Sequence, residues 1–159
     1  MRTILNTAHV YLVLGLVSGL GYRELTKITG FTGETQLAVV HTHILALGML
    51  FFLIVLALDK LFDLTGHGLF RWFFGIYNAG LAVTVGAMTL KGTLTVLGKP
   101  AGEALALVAG LGHILLTVGL VLLFVTLGKR IPAEECPGPG TAGNAAGVRS
   151  RPVRRVSPS

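Results

Sequence analysis

The chain has 159 residues, 52% of them hydrophobic and only 13% charged, with a mean hydropathy of +0.75. A soluble domain carries about 25% charged residues, so the composition excludes an ordinary soluble enzyme and describes an integral membrane protein built as one unit. The net charge of +6 is no nucleic-acid signature, because the basic residues gather at the ends of apolar runs and in the C-terminal tail, with no basic stripe interleaved with aromatics.

The first apolar run, about residues 4–22, follows Arg2 and has the outline of a secretory signal peptide. It carries His9 and Tyr11 inside the run and no A-x-A cleavage site follows, so it reads as a membrane span. Tyr11, Gly15, Ser18 and Tyr22 recur at helical spacing and predict one polar, small face turned into a bundle. After the Thr- and Gly-rich loop ITGFTGETQ comes the second span, about 37–58, with His41 and His43 inside its apolar run. Asp59, Lys60 and Asp63 end it, and the short connection LFDLTGHG predicts that spans two and three are antiparallel neighbours. His67 in this connection reads as a solvated loop residue.

The third span, about 69–90, opens with the interfacial pair Arg71 and Trp72 and carries Tyr77 and Asn78 further in. The fourth, about 104–127, lines up Ala106, Gly110, His113 and Thr117, a small and polar face expected to point inward. From residue 131 to 159 the chain turns to Pro, Gly, Ala, Ser and Arg and reads as a disordered basic tail. The architecture is thus an all-α four-helix bundle in the lipid bilayer. The excess of Lys and Arg near both termini, in the second loop and in the tail places both termini in the cytoplasm, with the bundle in the plasma membrane. A single cysteine, Cys136, rules out an internal disulfide and a multi-thiolate metal site.

Intramembrane histidines are costly and therefore informative. Counted at 1.5 Å per residue from the span midpoints, His43 and His113 lie roughly 6 and 5 Å to the same side of the midplane. His41 stands about 200° around the helix from His43, and His9 sits in the opposite half of the membrane. Two histidines at matching depth on different helices are what a haem with two imidazole ligands requires. Gly48, Ala46, Gly110 and Ala109 would leave room for the ring. In this reading His43 and His113 are axial ligands to haem b, with His41 and His9 as further candidates. Tyr11, Tyr22, Tyr77 and Asn78 would be hydrogen-bonding groups around them. A copper site would recruit His41 alongside His43 and His113. The remaining reading is a non-enzymatic module, a solute or proton conductor or an assembly subunit, whose histidines only pack and hydrogen-bond. Hydrolytic and nucleotide chemistry have no support: the acidic residues sit at span ends, in loops or in the tail, and Gly110-Leu-Gly112-His113 lies within an apolar span.

The segments GYRELTK, FTGETQL, HTHILALGM, YNAGL and GLGHILLTVGL resemble an uncharacterised bacterial four-helix membrane family of unknown function over roughly residues 5–130. That resemblance implies fold and membrane location, without an activity. The pattern His41-Thr42-His43 followed by Gly48 is also similar to small proteins related to haem-copper oxidase subunit I, and to a nitric-oxide-response membrane family that binds haem and copper. The large oxidase subunit arranges twelve helices as three four-helix arcs, so this second resemblance implies a homo-oligomer, a trimer in particular. The chain lacks the full set of oxidase histidines, an adjacent His-His pair and a recognisable proton channel, so the resemblance does not extend to oxygen reduction.

Overall fold

The computed structural model describes residues 1–100 and 102–131, and the expected tail lies outside them. Four helices are long and apolar enough to cross a membrane: α1 (Arg2–Thr29), α2 (Leu37–Phe62), α3 (Gly68–Val96) and α4 (Glu103–Arg130). No strand occurs among the described residues. The protein is a multi-pass membrane protein. Apolar side chains such as Val13, Val17, Leu107 and Phe124 are exposed, as lipid-facing residues of a bundle must be. Trp72 is 68% exposed at the start of α3, where an interfacial anchor belongs.

The helices overrun the expected spans because their ends are closed by specific groups. Gly30 stops α1 in the left-handed region at φ +63°. The segment 91–96, read from sequence as a loop, continues α3; Thr93 and Thr95 bond their hydroxyls back to the carbonyls of Thr89 and Lys91, and Gly98 then turns the chain at φ +68°. His67 is no solvated loop residue. Its Nδ1 accepts from the Leu69 N–H at 3.2 Å and caps α3. Asp59, expected as a charge at the end of span two, is fully buried, and its Oδ1 accepts the Thr65 N–H at 2.8 Å, tying the α2–α3 turn to the end of α2.

Packing runs from α1 to α2 to α3 to α4, and α4 packs almost wholly on α3. At the Asp63 end the core is aromatic: Phe52, Phe73 and Tyr77 are buried with Phe51, Phe70 and Phe74 around them. At the other end Leu37, Val40 and Ile44 form a smaller cluster with Tyr22 and Met88.

α1 turns the expected face inward, with Gly15 buried and Tyr11, Ser18 and Tyr22 half-buried. On α4 the expectation is overturned. Its buried residues are Gly112, Leu116, Gly119, Leu123 and Thr126, while Ala106, Gly110, His113 and Thr117 are exposed. The cause is close approach. A β-carbon on Gly112 would strike Thr84 Oγ1 and its backbone, and one on Gly119 would meet Tyr77 at 2.9 Å. In lipid, where helices gain little from apolar burial, such tight contact decides which face is inside. Gly112→Val should therefore cost about 2–3 kcal/mol of stability. Gly110→Val, at a position with nothing within 4 Å, should cost less than about 0.5 kcal/mol. Reversible unfolding in mixed micelles measures both.

Candidate functional site

His43 and His113 share one local arrangement. The His43 Nδ1 lies 2.9 Å from the Val39 carbonyl oxygen, and the His113 Nδ1 lies 2.8 Å from that of Ala109. A carbonyl oxygen only accepts, so in each ring Nδ1 carries a hydrogen and Nε2 is the nitrogen left for another partner. This is how a metal-ligating histidine is held: one nitrogen anchored to the backbone, the other free. Neither Nε2 has a hydrogen-bond partner among the described residues. His113 is exposed and His43 half-buried, so the chain leaves two imidazoles only partly covered by its own helices at membrane depth.

Helical phase shows where they face. On α4, His113 stands about 100° from Gly112, which abuts α3. On α2, His41 packs over Gly19 of α1, and His43, about 200° further round, lies on the flank away from α1. α2 and α4 run in the same direction on different sides of α3. By helical phase the opposite offsets turn both imidazoles toward one corner, between α2 and α4, that no helix among the described residues fills. Their depths can be counted from fixed contacts, since Leu37 abuts Gly92 and Gly112 abuts Thr84. Six residues along α2 and eight along α3 leave His43 and His113 within about one helical turn, ~5 Å, of the same level.

The other candidates lie elsewhere. His41 has a buried Nδ1 without a partner and an Nε2 3.4 Å from Thr42 Oγ1. His9 borders a small cavity beside Met49 and Leu53. Tyr22 packs on the Leu37, Val40 and Ile44 cluster. Among the described residues no three His, Cys, Asp or Glu side chains gather as a metal site, so His41, His43 and His113 do not form a three-ligand set. Gly48 offers no room for a cofactor ring, because Tyr11 already covers it, 2.5 Å from where a β-carbon would stand. Gly110, beside His113, remains open.

Residues 1–130 match the family described as "Protein of unknown function (DUF2871)". The chain belongs to that family. No curated protein and no solved structure matches it.

One feature of this family member escaped sequence reasoning. Directly after His43, residues Ile44–Leu50 wind as a π-helix. Such segments break the ordinary ladder and re-aim the residues around them, often at functional sites. The extra residue turns the His41–His43 segment by about 100° relative to the rest of α2. Tyr77, on α3, donates its hydroxyl to the Leu47 carbonyl at 3.0 Å, inside the π segment, and its ring stacks on Phe51 at 4.4 Å. Tyr11 donates to Asn78 Oδ1 at 2.7 Å, and Asn78 Nδ2 donates to the Phe74 carbonyl at 2.7 Å. The tyrosines and Asn78 thus act on helix geometry and on each other. No residue pattern around Gly48 announces the widened turn. Tyr77→Phe should cost about 1 kcal/mol and speed amide exchange at Phe51 and Phe52. Unchanged exchange there would show that the hydroxyl does not hold the π segment.

Proposed function

We propose that this protein binds haem b in the membrane through His43 and His113, for electron transfer or for redox and gas sensing. What supports this is the pair of imidazoles, each with Nδ1 tied to a backbone carbonyl and Nε2 without a partner among the described residues, on helical phases that turn toward one corner and within about one turn of the same level. The residues fit the group: the two donors suit axial ligation, and the Gly110 position leaves space beside one of them. Haem, when bound, supplies one-electron chemistry. The chain's part is to aim the two nitrogens through the Val39 and Ala109 carbonyls and through the Tyr77-clamped π segment. His41 belongs to a different face of α2 and is a packing residue in this reading, so copper has no third ligand here. A homo-oligomer, the trimer of the oxidase resemblance among them, would close the corner against lipid. The Lys and Arg distribution supports both termini on the cytoplasmic side of the membrane, and the resemblance to a bacterial membrane family implies the plasma membrane.

Ligand variants test the assignment. His43→Ala and His113→Ala should each abolish or severely reduce haem content, quantified as the pyridine haemochrome, while the protein stays monodisperse. His41→Ala should retain it. Full haem in both single variants would sink the assignment of these residues as ligands.

A further inference from the structure

A cleft of about 500 Å³ opens between α1 and α3, on the far side of α2 from His43's corner. It is graded from end to end. Thr3, Asn6 and Thr7 line one end, the Tyr11–Asn78 pair stands in the middle, and Leu14, Ile44, Leu81, Ala82 and Val85 make the other end apolar. Among the described residues no acidic or basic side chain lines it. From Thr3 to Leu14 it follows about 16 Å of α1. Its size is that of a small-molecule site, and its mix of an apolar bed with a few polar groups is the usual one.

The polar groups specify the occupant. Tyr11 spends its hydrogen on Asn78 Oδ1, so the phenolic oxygen keeps its acceptor lone pairs. Asn78 spends one amide hydrogen on the Phe74 carbonyl and keeps the other. Side by side, the pair offers one donor and one acceptor. Thr7 bonds its hydrogen to the Thr3 carbonyl and keeps acceptor capacity, while Asn6 carries an unused amide. A charged headgroup finds no counter-ion in such a cleft, and a plain acyl chain leaves the polar groups unused. A neutral ring bearing an oxygen that accepts from Asn78 in its oxidised state, and can also donate to Tyr11 once reduced to a hydroxyl, finds a partner in either state.

We propose that this cleft is a binding site for a prenylated quinone and its quinol, with the ring at Tyr11 and Asn78 and the tail along Ala82 and Val85. Ile44 lines the apolar end of the cleft and directly follows His43; with Leu37 against Gly92, His43 stands about eight residues, ~12 Å, along the helix axes from the ring position at Asn78. The role as the haem's redox partner rests on the haem reading; the binding site itself does not.

The test uses the full-length chain in nanodiscs and a photoreactive azidoquinone with a short tail, its attachment sites mapped by mass spectrometry. Label should fall on α1 between Thr3 and Leu14 and on α3 between Asn78 and Val85, and excess decylubiquinone should suppress it. Ala82→Phe, a change at an exposed position that fills the apolar bed, and Asn78→Leu should each lower this labelling at least roughly tenfold with the protein still monodisperse. Label scattered over lipid-facing positions, label indifferent to both variants, or equal suppression by added neutral lipid would overturn the proposal. The readout carries no haem signal, so an absent haem leaves it intact, and a failed quinone site leaves the haem assignment intact.

Discussion

The backbone contact of α4 with α3 at Gly112 governs the rest of this structure. In a bilayer the lipid tails compete equally for apolar surface, so helix association depends on how closely backbones fit. Gly80, Gly112 and Gly119 give α3 and α4 that fit, with Thr84 and Tyr77 as the facing surface. Once this seam is fixed, the rotation of α4 is fixed too. His113 then points away from the seam over the corner toward α2, and the small residues Gly110 and Ala106 face outward with it. An exposed small and polar stripe with an imidazole in it is a poor surface to offer lipid. That mismatch is the physical reason for placing a cofactor, and a second copy of the chain, against it.

The π segment of α2 complements that seam from the other side. A helix that carries imidazoles in one half and an aromatic core in the other must satisfy two rotations at once. The widened turn at Ile44–Leu50 resolves the conflict by letting Phe51 and Phe52 seat in the core while His43 keeps its flank position. The carbonyl of Leu47 takes a hydroxyl from Tyr77, and the Tyr11 ring fills the hollow at Gly48. Core packing and imidazole direction are thereby coupled through one short stretch of backbone.

Much of the architecture was legible in the sequence, because hydropathy and span length express a simple requirement of the bilayer. The four spans, the short α2–α3 turn and the inward face of α1 all follow from it. The face of α4 was not legible. Polar and small residues at His113, Gly110 and Thr117 suggest an interior by the same rule that worked for α1, yet Gly112 and Gly119 supply the closer contact, and only a partner helix reveals which glycines meet it. Asp59 looked like span-end polarity and His67 like a solvated loop residue because their partners, the Thr65 and Leu69 amides, appear only once the turn is folded. The π-helix left no pattern to read. A count of residues along the spans put His43 and His113 about 1 Å apart in depth, and the folded contacts widen that to about one helical turn. Their shared freedom at Nε2 depends on hydrogen bonds that only coordinates show.

The most direct measurement is the visible spectrum of the purified, detergent-solubilised protein, expressed with ample haem, in the oxidised and then the dithionite-reduced state. The account predicts a Soret band that shifts on reduction and sharp α and β bands, the pattern of a six-coordinate haem held by two imidazoles. A featureless spectrum would contradict it and leave His43 and His113 as histidines that serve the helices alone.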